Sequence, residues 1–465
     1  MYRALTAGLL LLCSHANSHA SAYAGLHISN DASPHIPAPA ITPRIYHGSD
    51  ARPGDWPWIT YVAAGSPDFV TQFCGGVLIA PELLLSAAHC VFVGTTRITE
   101  LHASLEPMSR PISTADFDAT AVEQSGEVRI LPHPDYQPGA ELYEHDIVLV
   151  KLDTALHPAR FPVLGAPADI AALERLPAAA RRGAVQVAGW GTTDASGQLP
   201  QRLQQVALDY IPHAQCRSQW RSYTSRLAIT ATMLCAAGAG PSLPAPDTCA
   251  GDSGGPLVRG TPDTGRLLGL TSFGKACGVI NPPGVYTDVT GYIGWLEQAA
   301  TTLGQPLVDI ATSLPDRVRA GIGATTTVRW QVRNESLRTT ADGIAFSLAV
   351  PAGLNIDNFQ GASCQQSGAT INCQLSQPLG HGSAHTISMD IAHLGDTELS
   401  TPLTVRVTQQ QHDYRGDNNA GTIMLTFTDR PAPSRSSGGA GYWLPMLAAL
   451  ALLRRRRAAF SHISR

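Results

Sequence analysis

The densest chemistry in this chain lies in Asp247-Thr248-Cys249-Ala250-Gly251-Asp252-Ser253-Gly254-Gly255-Pro256. A serine hydroxyl is a poor nucleophile until a neighbouring base takes its proton. Glycines around Ser253 let the backbone turn tightly and leave amide N–H groups free to face a developing oxyanion; Gly251 and Ser253 are the expected donors. A base is available in Leu85-Ser86-Ala87-Ala88-His89-Cys90. His89 is one of 16 histidines, and a lone histidine is usually structural or solvated. What singles it out is Cys90 beside it and Cys74 in Phe73-Cys74-Gly75-Gly76-Val77 just upstream, because a disulfide between them would pin the loop that aims the ring. The third group is Asp146 in His145-Asp146-Ile147-Val148-Leu149-Val150-Lys151-Leu152. An acid leading into an apolar strand must be paired or suffer a large desolvation cost. Accepting from the His89 ring would supply that pairing, fix the tautomer and stabilise the imidazolium.

The order His89, Asp146, Ser253 and the strings around all three resemble the chymotrypsin/trypsin family of serine endopeptidases, over residues 44 to about 300. The resemblance implies an all-β fold of two perpendicular six-stranded β-barrels with the site between them. It implies the disulfides Cys74–Cys90, Cys216–Cys235 and Cys249–Cys277. It also implies that Asp247, six residues before Ser253, is the acid at the bottom of the primary pocket, walled by Ser272-Phe273-Gly274 and Pro283-Gly284-Val285-Tyr286. Gly274 and Gly284 would leave room for a long side chain, and Thr248 would offer a hydroxyl beside the acid. A buried carboxylate facing guanidinium or ammonium makes a charge-assisted pair, so cleavage after Arg or Lys is expected. A surface turn acid is the competing reading of Asp247. Phe273 stands where the family usually has Trp, which keeps an aromatic wall.

Pro43-Arg44-Ile45-Tyr46-His47-Gly48 resembles the family's activation junction. Cutting after Arg44 would free an ammonium at Ile45, and in this family that terminus inserts beside the acid preceding the serine, here Asp252. Tyr46-His47-Gly48 departs from the usual Val-Gly-Gly without removing the Ile45 terminus. Arg44 itself fits the expected specificity, so self-activation is an expectation. Some family members bind calcium in a loop of the first barrel. Glu100, Glu106, Asp116, Asp118 and Glu123 lack the spacing of a dedicated site, so a solvated acidic loop is expected, with structural calcium as the alternative. The chemistry requires no metal and no cofactor.

These residues need a scaffold of strands. Phe73 to Ile79, Val185 to Gly189 and Leu267 to Ser272 are short, apolar and bounded by Gly, Pro and Asp, while Tyr292 to Thr301 repeats apolar residues at helical spacing. The protease portion is placed at 45–302. A second region, 306–430, alternates polar and apolar side chains in Thr325 to Val332 and Leu403 to Val407, with further strands at Ile344 to Val350 and Thr422 to Thr428. It reads as a small β-sandwich, and it resembles bacterial immunoglobulin-like modules. Cys364 and Cys373 should close a local hairpin there, contributing about 2–3 kcal/mol.

The whole chain has 465 residues, 44% hydrophobic and 15% charged, with a formal net charge of -4. That length predicts two or three domains, and that charge provides no nucleic-acid footprint. Residues 1–24 read as a secretory signal peptide and 25–44 as a propeptide. Without Cys13 an even set of cysteines remains, as an oxidised, exported protein requires. Residues 431–442 form a Pro/Ser/Gly linker. Residues 443–465 hold an apolar stretch and Arg454 to Arg457, and with Ser436-Ser437-Gly438-Gly439 they resemble the Gly-Gly C-terminal sorting signals of Gram-negative bacteria. That resemblance implies type II secretion machinery and a rhomboid-type sorting protease as partners, beside protein or peptide substrates with Arg or Lys before the scissile bond. It also implies a secreted or cell-surface location, with transient membrane association through the tail. The competing functions are a catalytically dead binding protein and an adhesin-like surface protein whose protease portion is secondary.

Overall fold

The computed structural model describes residues 45, 48–66, 69–107, 109–110, 116–124, 127–140, 143–193, 199–238, 245–262 and 264–429. The signal peptide, the propeptide with Arg44, the linker and the sorting tail all lie outside the described residues.

The N-terminal portion, residues 45 to 302, is built on two barrel-like sheets. The first has seven strands, in the order Ala119–Val122, Glu100–Leu105, Ile59–Ser66, Phe69–Ala80, Leu83–Ser86, Val148–Lys151, Ile130–Pro132. The second has eight. Its main path runs Ser49–Asp50, Gln204–Ile211, Val185–Gly189, Pro256–Arg259, Arg266–Phe273, Gly284–Asp288, Met233–Ala237, with Val163–Leu164 paired to Arg266–Phe273. The pairing of Asp209 with Ala237 closes this second sheet on itself. The surplus over six strands each comes largely from edge segments of two or three residues, such as Ser49–Asp50 and Ile130–Pro132. Branched and apolar side chains dominate the paired segments because both sheets turn one face into a core. Trp56, Tyr61 and Trp190 share one cluster, and Val62, Leu84 and Val148 share another.

Three helices frame the sheets: α1 (Pro167–Arg175), α2 (His213–Tyr223) and α3 (Ile293–Thr302). The helix expected from Tyr292 starts one residue later, because Val289–Tyr292 forms a 3-10 turn whose Thr290 N–H is capped by Asp288. The first two helices have weaker sequence signals. α1 begins with Pro, and Asp169 reaches back to the Ala166 N–H. α2 buries little beyond Cys216 and Trp220. None of the described helices is long and apolar enough to cross a membrane.

Beyond α3 the chain forms two larger sheets around one core, and a short parallel pair joins Leu307–Val308 to His412–Asp413. Four strands run Ile310–Ser313, Thr325–Asn334, Ala384–His393, Leu354–Gln360; six run Arg317–Gly321, Ala420–Thr428, Leu399–Thr408, Ala345–Ala349, Thr370–Gln374, Ser363–Ser367. In Thr325–Asn334 the side chains of Val328, Trp330 and Val332 alternate inward, and Trp330 meets Phe346 of the other sheet edge-on at 4.9 Å. Cys364 and Cys373 are joined across the hairpin of the edge strand.

This unit is bound to the N-terminal portion through polar groups, several of them buried. Glu297 of α3 is fully buried. Its carboxylate accepts from the Leu337 N–H at 2.9 Å, the Arg338 N–H at 2.6 Å and the Tyr414 hydroxyl at 2.8 Å. Arg415 donates to Asp309 and to the carbonyls of Leu164 and Gly165, while Arg266 meets Asp417 at 2.6 Å. A buried acceptor removed from its donors leaves each of them unsatisfied at about 1–3 kcal/mol. Glu297→Ala should therefore cost about 3 kcal/mol or more and shift the urea midpoints of both portions together. An unchanged midpoint would show that the carboxylate holds nothing. For the same reason, excising residues 306 to 430 should destabilise the N-terminal portion, since it removes all three donors to Glu297.

Candidate active site

Strand register brings His89 and Asp146 together. Val148 pairs with Ser86, which sets Asp146 against the 3-10 turn Ala88–Val91 that carries His89. The Cys74–Cys90 disulfide ties that turn to the strand Phe69–Ala80. Asp146 is fully buried, and its two oxygens divide their work. Oδ1 accepts from the His89 backbone N–H and Oδ2 meets His89 Nδ1, both at 2.8 Å. With Nδ1 donating to Asp146, the Nε2 lone pair is available to a hydroxyl. Ser272 adds a hydrogen bond to Oδ2 at 2.5 Å, and Thr287 donates to the Asp146 carbonyl at 2.9 Å. Residue 145, immediately before the acid, sits at φ 57 and is anchored by its ring to the Tyr292 hydroxyl at 2.9 Å.

Burial alone would lower the His89 pKa. The charge of Asp146 and its hydrogen bond outweigh burial and raise it above 6.5. Burial likewise pushes Asp146 upward, and the His89 charge and hydrogen bonds bring it below its ordinary value. Cationic His89 cannot act as a base, so activity should appear as pH rises through a midpoint above 6.5. The pH profile of kcat for a good substrate measures it; a midpoint below 6.5 would contradict the pairing.

Ser253 faces the same cleft as His89, a cavity of ≈ 360 Å³. Its carbonyl accepts from the Gly75 N–H at 2.7 Å, which fastens the serine loop to the first sheet. Gly251 and Gly254 adopt φ 100 and 76, and a Cβ at residue 254 would overlap the Ser86 hydroxyl. The N–H groups of Gly251 and Ser253 donate to no other group among the described residues. The Ser253 hydroxyl likewise makes no hydrogen bond to His89. Catalytic hydrogen bonds often tighten only once substrate is bound.

Asp247 lies on the wall of this cavity with Thr248, Ser272, Phe273, Gly274 and Gly284. It is nearly buried, and its carboxylate accepts from the N–H groups of Thr248 at 2.9 Å and Gly278 at 3.0 Å. Burial drives its pKa up to about 7, against the pull of those amides. Gly274 and Gly284 face each other; a Cβ at 274 would stand 3.9 Å from the Gly284 Cα, in ordinary contact. The Cys249–Cys277 and Cys216–Cys235 disulfides brace this side. Asp252 is fully buried beneath the serine, accepting from the N–H groups of Gly191 at 2.7 Å and Cys249 at 2.8 Å, and burial drives it up to about 7. Ile45 is also fully buried, with its carbonyl accepting from the Gly48 N–H.

Some sequence expectations need correction. The Thr248 hydroxyl pairs with the Tyr286 hydroxyl at 3.1 Å; only its backbone N–H reaches Asp247. Ser272 lines the cavity, yet its hydroxyl is turned to Asp146. The acids between residues 100 and 123 are engaged separately. Glu106 takes the Gly54 N–H, Asp118 takes Ser104 and the Leu105 N–H, and Glu123 takes Arg97 and the N–H groups of Arg129 and Ile130. Glu100 meets His102 at 3.1 Å. Among the described residues, ligand-type atoms cluster only at Cys74, His89 and Cys90, where both sulfurs are already in a disulfide. Tyr143 escaped sequence reading. Its ring meets His89 edge-on at 5.8 Å and stacks on Phe273 at 5.3 Å, so it forms part of the cleft wall. Its position three residues before Asp146 was the available signal.

A family model described as Trypsin matches residues 45–296. The chain is 32% identical over 268 residues to ovochymase of Halocynthia roretzi, covering 56% of this chain and 15% of that one. It is 34% identical over 266 residues to transmembrane protease serine 5 of Homo sapiens, covering 56% and 52%. Against serine protease 56 of Homo sapiens the identity is 35% over 262 residues, covering 55% and 38%. The chain thus spans about half or less of each of these relatives.

Proposed function

The chain belongs to the trypsin family, and from that premise we propose that it is an exported serine endopeptidase, made as a zymogen, that cleaves after Arg or Lys. The observation that carries the reading is the nearly buried Asp247 carboxylate in the cavity that also holds Ser253 and His89. The substrate cation enters this cavity past Phe273 and Gly274 and ionises the acid. Ser253 Oγ then attacks the carbonyl carbon while His89 Nε2 takes its proton, and the Gly251 and Ser253 N–H groups hold the oxyanion. His89 returns the proton to the leaving amine, and water releases the acyl-enzyme by the same route. Asp146 stabilises the imidazolium, with Ser272 steadying the carboxylate. Fluorogenic Arg and Lys amides should be hydrolysed by the activated protein, and Phe and Glu amides barely. Equal or better turnover of Phe amides would overturn the specificity.

Activation follows from the same residues. Among the described residues Asp252 holds only backbone partners, and burial drives its pKa up to about 7, so a cationic terminus would satisfy it better. Cleavage after Arg44 supplies one at Ile45, whose side chain is already buried. Arg44→Gln should leave the protein as an intact, nearly inactive proenzyme, read by N-terminal sequencing and amide hydrolysis. Cleavage at Arg44 in isolated Ser253→Ala protein would rule out self-activation. Residues 1–24 would direct export, and the segment after residue 430 would decide between release and retention at the cell surface.

A further inference from the structure

Beside the cleft, the described residues of α2 and of the Phe273–Lys275 segment include cations and no acids. Trp220 of α2 meets Phe273 edge-on at 5.5 Å, and Tyr223 meets Trp220 edge-on at 5.9 Å. Lys275 Nζ lies 4.3 Å from the centre of the Tyr223 ring, and Lys275 directly follows Gly274 of the cavity wall. The helix turns Cys216 and Trp220 inward and leaves Arg217 and Arg221, one turn apart, exposed. Neither arginine has an ion pair or side-chain hydrogen bond among the described residues. Arg226 is exposed just beyond the helix. No Asp or Glu occurs between Asp209 and Asp247, nor between Arg266 and Asp288, so nothing on these segments neutralises the rim.

We propose that this rim is a second recognition surface, which takes acidic side chains of the polypeptide substrate a few positions before the scissile bond. The proposal rests on the reading of Asp247 as the primary-pocket acid. The residue before the bond fills the pocket between Asp247 and the Ser272-Phe273-Gly274 segment. The residues preceding it then continue over Phe273 towards Lys275 and α2. The Phe273 and Tyr223 rings, backed by the buried Trp220, give them a surface to lie on; Lys275 stands over Tyr223, and Arg217 and Arg221 are exposed on α2. The charges are exposed, so the surface contributes selectivity that salt weakens.

The test compares two Arg-terminated fluorogenic peptides, with Asp or with Asn at the third to fifth positions before the bond. At low ionic strength the Asp peptide should show a kcat/KM about tenfold higher, carried by KM, as expected for a few exposed charge pairs. That ratio should fall towards one in 0.5 M salt, and also in a combined Arg217→Gln, Arg221→Gln, Lys275→Gln variant whose unfolding midpoint matches the parent. Equal kcat/KM values for the two peptides in the parent protein overturn the proposal. So does a ratio that survives both salt and substitution. Variant-sensitive binding of a sulfated polysaccharide without any Asp preference would overturn it too, because the surface would then serve a polyanion. The salt titration on the parent protein keeps the test decisive if the variant fails to fold. Absence of hydrolysis of both peptides in the activated parent would instead strike the Arg/Lys reading itself.

Discussion

Ser253→Ala should reduce hydrolysis of an Arg amide by about five orders of magnitude or more, while leaving the fold and the binding of an Arg-bearing inhibitor in place. The size follows from how triad members act. Removing the nucleophile removes the acyl-enzyme route as a unit, and only positioning and the oxyanion site remain, a residue of about 10³–10⁴ over water. The fold should survive because the Ser253 hydroxyl holds no hydrogen bond among the described residues. What fastens this loop is backbone: the Ser253 carbonyl with the Gly75 N–H, and the Gly254 N–H with the Thr271 carbonyl. The measurement is burst and steady-state kinetics on matched, activated proteins. A variant retaining a tenth of the parent rate would remove Ser253 from the chemistry.

Asp247→Ser is the second large effect. Truncating one member of a buried charge pair costs about 2–5 kcal/mol, much of it from leaving the other charge unpaired. The kcat/KM for Arg and Lys substrates should therefore fall by about two to four orders of magnitude. The Phe amide should lose nothing or gain. Protonation of the intact acid produces a milder form of the same loss. Burial drives the Asp247 pKa up to about 7, and a neutral carboxyl pairs poorly with guanidinium. KM for an Arg substrate should thus rise as pH falls through about 7, whereas in the Ser variant KM should be flat across that range. A pH-independent KM in the parent would mean that the acid does not meet the substrate cation.

The chemistry was legible because its demands fall on short contiguous strings. Ser253 needs glycines beside it, His89 needs a fixed turn, and an acid at the head of an apolar strand must be paired. The C-terminal sheets were legible for a different reason: inward Val328, Trp330 and Val332 alternate with polar neighbours at the strand period. Other features depend on which strands meet, and no local pattern records that. Ser272 turns to Asp146 only because Arg266–Phe273 runs beside Gly284–Asp288, whose Thr287 also reaches residue 146. Tyr143 becomes a cleft wall only when Phe273 is brought opposite it. Glu297 looks like an ordinary helix acid until the turn at Leu337 and the loop at Tyr414 close over it. That contact changes the view of the C-terminal unit, from a separable module to a body sharing buried polar groups with the protease portion.

Two arms of the account, Ser253 as nucleophile and Asp247 as selector, meet in one measurement. An aryl phosphonate carrying a guanidinium side chain should be applied to the activated protein and the adduct located by mass spectrometry. The account predicts one adduct, on Ser253, formed at least about a hundredfold faster than with the phenylalanine analogue, the difference expected when a buried acid selects for the cation. Labelling elsewhere, no labelling, or faster reaction of the phenylalanine analogue would contradict it.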